Sequence, residues 1–525
     1  MTNDAEVSLL CPGHNCWRVE PCARFAMLVD AHAYFAALRQ ALARAEQTIF
    51  IVGWDIDSRM RLTPDAPDDG LPAELRDFLS ALCERRRGLR VYVLSWDFAM
   101  VFAFEREFLP AARQHWQAHR RLSFCLDGNH PPGASHHQKI VVIDHCLAFV
   151  GGLDLTIRRW DTPEHRASDP RRVDPDGKPY APFHDVQCMV DGDAARALGD
   201  LAAERWLRAT GRHPRVPVMA GADPWPAEVS PDVIDVQVGI SRTDPARDDL
   251  PAVTEIRKLH TDAIAAARDS LYLENQYFSS GLIADAFAAR LREPDGPDIA
   301  FVSRRTESGW LEEASMGVLR ARLCRTLAAA DSHGRFQLYC PGVPGLGSAC
   351  VNVHSKVMIV DDRLLMIGSA NLSNRSFGLD TECNLAIASN GDARIAASIR
   401  AMRGRLLCEH LAVTHEVLGQ AMAAHPRLND AIRALHRPQG RTLEPFTPSV
   451  TEDVDAVLPD AMLLDPMEPI DTEQVVAEFI GHEAARTRPA AWRCWWRSCW
   501  YWPAWRLRGD IRRCANGPIS GKCWR

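Results

Sequence analysis

The sequence predicts an α/β fold built from two similar halves related by a pseudo-twofold axis, each half a mixed β-sheet flanked by helices, with one site shared between them. Three observations carry that expectation. The phrase His137-Gln138-Lys139-Ile140-Val141-Val142-Ile143-Asp144 returns as His354-Ser355-Lys356-Val357-Met358-Ile359-Val360-Asp361, both HxKxxxxD. The text behind each copy repeats too, Phe149-Val150-Gly151-Gly152-Leu153-Asp154 against Met366-Ile367-Gly368-Ser369-Ala370-Asn371. Ahead of each copy, at a comparable distance, stand Thr48-Ile49-Phe50-Ile51-Val52-Gly53-Trp54-Asp55 and Ser270-Leu271-Tyr272-Leu273-Glu274-Asn275-Gln276-Tyr277-Phe278. One short motif is a weak signal, but a motif duplicated inside duplicated text is a strong one.

Each half opens on a segment with helical apolar period, Tyr34 to Ala45 and Ile256 to Ala267, followed by an apolar strand and a long insert. Lys139 to Ile143 and Lys356 to Val360 are short runs rich in apolar, largely β-branched residues. Each ends in an acidic turn and meets another apolar run, so each reads as a hairpin. Residues two apart on a strand share a face, which places His137 beside Lys139 and His354 beside Lys356. Asp144 and Asp361 fall on the other face and read as turn residues that accept hydrogen bonds from backbone amides.

A histidine beside a lysine suits phosphate chemistry. Imidazole serves as nucleophile, acid or base near neutral pH, and the ammonium is a point charge for a phosphate oxygen. If the two pairs meet, one histidine can attack phosphorus while the other protonates the departing oxygen. For a single such histidine a satisfied core or surface role would be the ordinary expectation; two matched pairs argue against it.

On these residues the chain resembles the phospholipase D superfamily over roughly residues 14 to 415. The Leu271 to Phe278 segment, Gly151-Gly152-Leu153-Asp154-Leu155 with Arg159-Trp160-Asp161-Thr162, and Phe183-His184-Asp185-Val186-Gln187 are similar to the phosphatidylcholine-type members more than to the small nucleases. The resemblance implies a bilobed α/β fold, a phosphohistidine intermediate, and neither metal nor cofactor. It makes His137 the nucleophile and His354 the acid, with Lys139, Lys356 and Asn371 on the phosphate oxygens. It also implies a carboxylate that orients each histidine, and by position Asp161 and Glu382 are the candidates. Asp154 occupies the first-repeat slot that corresponds to Asn371. An ionised carboxylate cannot donate to phosphate, so Asp154 is a poor ligand.

Composition agrees with a large enzyme: 525 residues, 46% hydrophobic and 25% charged. The formal net charge of -7 supplies no global basic field, which weighs against a nucleic-acid partner. Met1 to Leu10 lack a basic start followed by an apolar core, and no run of about eighteen uncharged apolar residues is present. The expectation is a cytoplasmic monomer that meets a glycerophospholipid at the membrane surface. Sixteen cysteines without a regular spacing read as reduced thiols. Cys11, His14, Cys16 and Cys22 have the elements for zinc, but their spacing fits no standard site.

The expected organisation is a first repeat over 1–215, a crossover and second repeat over 216–417, a helical and Pro-rich acidic extension over 418–485, and a tail over 486–525. Asp161 to Pro182, rich in Pro, Asp and Arg, reads as a loop over the cleft. The acidic extension resembles the segment that joins bacterial phospholipase D-like lobes to a membrane-embedded domain. In place of such a domain stands a tail crowded with Trp, Arg and Cys, including Trp492-Arg493-Cys494-Trp495-Trp496-Arg497. It has no coherent apolar face. It is expected to be disordered and reads as the product of a reading-frame change, ahead of an interfacial anchor. The expected function is a phospholipase D-type phosphodiesterase that hydrolyses or transfers the phosphatidyl group. A cardiolipin synthase-like transferase and a nuclease of the same superfamily are the alternatives.

Overall fold

A computed structural model of the chain describes residues 8–65, 68–97, 116, 118–217, 223–247, 250–306, 313–347, 349–448, 465–469 and 523–524. The first repeat runs β1 (Arg18–Val29), α1 (Asp30–Arg44), β2 (Thr48–Gly53), α2 (Leu75–Arg85), β3 (Arg90–Trp96), β4 (Leu122–Asp127), β5 (Ile140–Ile143), β6 (Leu147–Gly151), β7 (Phe183–His184), β8 (Val186–Asp191) and α3 (Gly192–Thr210). The second runs β9 (Val233–Asp244), β10 (Val253–Thr254), α4 (Glu255–Ala266), β11 (Ser270–Glu274), α5 (Gly281–Arg292), β12 (Asp298–Val302), α6 (Val318–Ala330), β13 (Phe336–Gly342), β14 (Asn352–Val353), β15 (Val357–Val360), β16 (Leu364–Gly368), β17 (Glu382–Ala388) and α7 (Ala393–Leu411). After these come α8 (His415–Ala424), α9 (Leu428–Ala434), β18 (Thr442–Pro445) and β19 (Cys523–Trp524).

The main ladder follows the order β4, β3, β2, β5, β6, β8, β1 in the first repeat and continues through β9, β17, β16, β15, β11, β12, β13, β18 in the second. Its centre is the antiparallel pair β1 and β9, with Arg18 opposite Ile240 and Phe25 opposite Val233. Outward from that pair each half repeats the same sequence of partners, with β2 to β4 and β11 to β13 parallel and the hairpins antiparallel. This is the expected mixed α/β architecture.

Alternation along the strands explains the three layers. In β2 and β3, Ile49, Ile51, Val91 and Val93 pack with α1 and α2, whereas Phe50, Val52, Tyr92 and Leu94 face the opposite side and pack with α3. In the second repeat Leu271, Leu273, Ile299 and Phe301 meet α4 and α5, while Tyr272, Ala300 and Val302 share the other face with α7. Strands with both faces covered read as continuous apolar runs, which is why β2, β5 and β15 were visible in the sequence.

Two details go beyond the sequence expectation. The crossover expected at the start of the 216–417 segment contains β9, twelve residues long and central to the sheet. The expected boundary at 417 falls inside α8, and β18 of the expected extension pairs with β13, Leu443 opposite Pro341. The reading of 486–525 lies outside the described residues, apart from Cys523 and Trp524, which pair with β4. Twelve of the described cysteines, from Cys11 to Cys408, are free thiols. The N-terminal set does not converge: His14 meets Asp262, Cys16 meets Ser241 and Cys22 faces Asp191. Among the described residues no helix is long and apolar enough to cross a membrane.

Candidate active site

The two hairpins position the site through their turns. Asp144 and His145 have φ of 49° and 51°, and Asp361 has φ of 52°, the left-handed backbone of a tight turn. Asp144 accepts hydrogen bonds from the backbone amides of Glu46, Gln47 and Thr48, each at 2.7 Å. Asp361 accepts from those of Arg268, Asp269 and Ser270 at 3.0, 2.8 and 2.8 Å. Each aspartate therefore ties its hairpin to the turn before the neighbouring strand, far along β5 or β15 from the histidines.

At the other end of the hairpins, β5 and β15 begin one residue after Lys139 and Lys356, so each His-Lys pair lies on the extended chain entering a strand. Two short crossings hold these entries together. The amide of His354 donates to the His184 carbonyl at 2.8 Å, and the amide of His137 donates to the Thr381 carbonyl at 2.9 Å. The residue after each acceptor is an acid that faces the histidine of the opposite repeat. Asp185 Oδ2 lies 2.7 Å from His354 Nδ1, and Glu382 Oε1 and Oε2 lie 3.0 Å from His137 Nδ1. An acceptor at Nδ1 places the proton there and leaves each Nε2 with its lone pair.

Glu382 was an expected partner, and the structure places it on His137. Asp161 was the other candidate, and here the structure corrects the expectation: Asp161 accepts from Arg172, from the backbone of Thr162 and Phe183, and faces His165 at 3.0 Å. Asp185, not among the expected carboxylates, stands at His354 where Asp161 was expected. The insert that ends at Pro182 separates the partner from its hairpin in the first repeat. Strand register finds it: Gly151 pairs with Gln187 and Gly368 with Asn384, so Asp185 and Glu382 stand at the same offset. Gly152 is glycine for the same reason, since a Cβ there would lie 2.1 Å from Asp185 Oδ1. The matching residue, Ser369, donates to Glu382 Oε2 at 2.5 Å.

Both lysines are buried beside their histidines. Lys139 pairs with Asp154 Oδ2 at 3.0 Å and donates to the His137 carbonyl at 3.1 Å. Asp154 also accepts from the backbone amide of Trp54 at 2.8 Å, so it serves as counter-ion to Lys139. Lys356 donates to Gln276 Oε1 at 3.1 Å and to the His354 carbonyl. Asn371, in the slot matching Asp154, is buried with its Oδ1 unpartnered. Trp54 and Phe183 close the site, their rings 6.3 Å from His137 and 5.3 Å from His354.

Burial dominates the electrostatics, reinforced by the clustered cations. It holds both imidazoles well below their ordinary pKa, helped by Lys139 and Lys356 at His137 and by Lys356, Arg159 and Lys139 at His354. Burial pushes Asp185 up to about 6 and Glu382 up to about 7, and brings Lys356 down to about 7. Each histidine and its carboxylate thus share one proton, and the site gathers positive charge for an anion. His137, Lys139, His354, Lys356 and Glu382 come together; Asn371 is buried just after β16 with its backbone amide on Ser376; Asp144, Asp361 and Asp161 stand outside.

A family model described as "Phospholipase D" matches residues 130–282 and 348–478, covering both HxK phrases and both orienting carboxylates. The chain belongs to the phospholipase D family. A second model, described as "Cardiolipin synthase, PLD-like domain", matches residues 261–402. Phospholipase D A of Dictyostelium discoideum is 26% identical over 69% of this chain and 32% of its own length. Phospholipase D alpha 2 of Arabidopsis thaliana is 22% identical over 86% of this chain and 72% of its own. The chain thus spans about a third of the first of these phospholipase D relatives. A crystal structure of phosphatidylserine synthase from Haemophilus influenzae superposes with a TM-score of 0.49 at 13% identity, covering 74% of this chain and 87% of that one. In this phospholipase D family member the two HxK regions form one centre.

Proposed function

We propose that the protein cleaves the headgroup phosphodiester of a glycerophospholipid. The carrying observation is the crossed pairing, in which each Nδ1 is held by the other repeat's carboxylate and each Nε2 is left for the substrate. His137 Nε2 attacks phosphorus, the bond to the headgroup oxygen breaks, and His354, in the form that carries a second proton on Nε2 while Nδ1–H stays on Asp185, gives that second proton to the departing oxygen. Water then gives a proton to His354 and attacks phosphorus, which releases His137 and phosphatidic acid. An alcohol in place of water would give a transferred phosphatidyl group. Lys139, Lys356 and Asn371 stabilise the charge that develops on the nonbridging oxygens.

A lipid is favoured over a nucleic acid by what surrounds the centre. Beside it lies a cavity of about 400 Å³ whose lining includes Arg59, Arg158, Arg159 and Arg171 together with Phe35 and Trp160. Arginines over aromatic walls suit an anion with an apolar body, and Arg159 is close enough to His354 to shift its pKa. The relatives named phospholipase D support the same reading. Contact with the membrane is peripheral, and the enzyme works as a monomer in the cytoplasm.

Headgroup release across a panel of glycerophospholipids, run with ethanol present and beside single-stranded DNA, tests this. Release of headgroup with formation of phosphatidic acid or phosphatidylethanol is expected, and both products should vanish in His137→Ala. Cleavage of DNA with inert lipids would assign the centre to a nuclease. Turnover only with a second lipid alcohol would assign it to a phosphatidyltransferase.

A further inference from the structure

Behind His354 lies a second buried cluster that the phosphoryl chemistry does not use. Asp30 at the β1 to α1 junction, His165 in the insert, His184 in β7 and Glu409 in α7 are all buried, with one ligand atom from each within 4.8 Å of the others. His165 Nε2 lies 3.5 Å from Asp30 Oδ2 and 3.2 Å from Glu409 Oε1. His184 Nδ1 lies 3.0 Å from Asp30 Oδ1 and 3.0 Å from Glu409 Oε1.

The opposite nitrogen of each ring is already committed. His165 Nδ1 faces Asp161 Oδ2 at 3.0 Å, and Asp161 is fixed by Arg172. His184 Nε2 faces Glu274 Oε2 at 2.8 Å, and Glu274 also accepts from Tyr272, Ser355 and His410. With protons on those outer nitrogens, the inner ones are lone pairs pointed at two carboxylates. A His165 that keeps a proton on Nε2 donates it to Glu409 Oε1 at 3.2 Å; with that proton lost, the four ligand atoms converge with their lone pairs inward. Consistent with this, His184 Nδ1 and both carboxylate oxygens of Asp30 have no hydrogen-bond partner although they are fully enclosed. Asp30 also holds a left-handed backbone at φ 63°, a strain that a non-glycine residue keeps only where its surroundings require it.

We propose that Asp30, His165, His184 and Glu409 bind a divalent transition-metal ion, zinc first among them, as a structural centre. Tetrahedral zinc with nitrogen and oxygen ligands at about 2.0–2.1 Å separates neighbouring donors by roughly 3.3 Å; Glu409 Oε1 stands 3.2 and 3.0 Å from the two imidazole nitrogens, and one ligand atom from each residue lies within 4.8 Å of the rest. Two carboxylates and two neutral imidazoles balance a charge of +2, and a carboxylate behind each histidine is the arrangement that fixes a ligand's tautomer. The neighbouring trio His184, Glu274 and His410 is a poorer site, because Glu274 already accepts four hydrogen bonds.

The centre sits away from the reacting phosphorus, yet it bears on the catalytic geometry. His184 is a ligand, its carbonyl receives the His354 amide, and the next residue is Asp185. A metal there would anchor β7, the insert and α7 at one point behind His354. Behind His137 the matching space holds a different device, Arg205 donating to Gln138 and to Asp127, with Asp127 near His136. The pinning is therefore one-sided.

The test uses the full chain expressed in zinc-supplemented medium, stripped of loose metal with EDTA, desalted and analysed by plasma mass spectrometry. About one zinc per chain is expected, falling below about a tenth of that in Asp30→Asn and His165→Gln and unchanged in Glu382→Gln and His14→Gln. Protein refolded with cobalt should show the visible bands of four-coordinate cobalt without thiolate charge transfer, a readout that does not depend on the variants folding. Wild-type protein with under about a tenth of an equivalent of any divalent metal, Asp30→Asn with undiminished metal, or a thiolate signature in the cobalt spectrum would each overturn the assignment.

Discussion

Asp185 Oδ2 lies 2.7 Å from Nδ1 of His354, a histidine 169 positions away in the opposite repeat. Replacing that carboxylate with an amide keeps the volume but no longer enforces the tautomer with Nε2 free. Asp185→Asn should lower kcat by roughly 10²–10⁴-fold with the far-ultraviolet circular dichroism spectrum unchanged. Asp161→Asn, at the carboxylate first expected in this role, should reduce thermal stability while the folded fraction keeps its kcat. The opposite pattern in steady-state assays of the two variants would return the orienting role to Asp161.

The two histidines are predicted to differ in a trapping experiment. His137→Ala should form no covalent phosphoryl-enzyme with any substrate. His354→Ala should still form one with an ester whose leaving group needs no proton, because an acid can be bypassed and a nucleophile cannot. Intact-mass spectrometry after a neutral quench reads the adduct. An adduct in the His137 variant and none in the His354 variant would exchange the roles.

Lys356, brought down to about 7 by burial, sets an alkaline limb. As pH rises through about 7 the ammonium loses its proton and the charge that holds a phosphate oxygen, so kcat/KM should fall. Stability moves the other way. The unfolded lysine keeps its proton up to about 10.5, so fold stability is lost as pH falls from about 10.5 to about 7 and is restored as pH rises again. A pH series of kcat/KM and of denaturant midpoints should show these opposed trends, and Lys356→Arg should shift the kinetic limb upward while lowering the rate.

Asp144→Ala and Asp361→Ala each strand three backbone amides. Each should cost about 1–3 kcal/mol in urea unfolding while leaving kcat of the folded enzyme within about twofold. A large kcat loss without a stability change would move either residue into the chemistry.

Asn371→Asp places a second negative group where the first repeat already carries Asp154. An acceptor in that slot repels phosphate and gives no hydrogen bond, so kcat should drop by roughly 10²–10³-fold with the melting temperature little altered. An unchanged rate would remove Asn371 from the phosphate site.

The fold was legible wherever apolar period and duplication coincided. The hairpins of Asp144 and Asp361, the strands at Thr48 and Ser270 and the helices ahead of them stand where their patterns put them. The central pair β1 and β9 was hidden because Arg18, Glu20, Pro21 and Arg24 interrupt one and Asp235 and Gln237 the other, so neither forms an apolar run. Within the site the two HxK pairs and Asn371 were visible from text alone. The Asp185 segment stood out as text but its pairing with His354 did not, because the insert before it breaks the even spacing on which positional matching depends. Asp30 and Glu409 gave no signal, since an acid at a helix start and one near a helix end read as ordinary surface residues until the fold encloses them.

The crossed carboxylates also set a timetable for synthesis. A ribosome that has completed the first repeat has made His137 but not Glu382, and Asp185 waits likewise for His354. Until residue 354 has emerged neither imidazole has its mate, and His137 waits until residue 382, so a chain that ends earlier carries an incomplete centre that only the folded second half can finish.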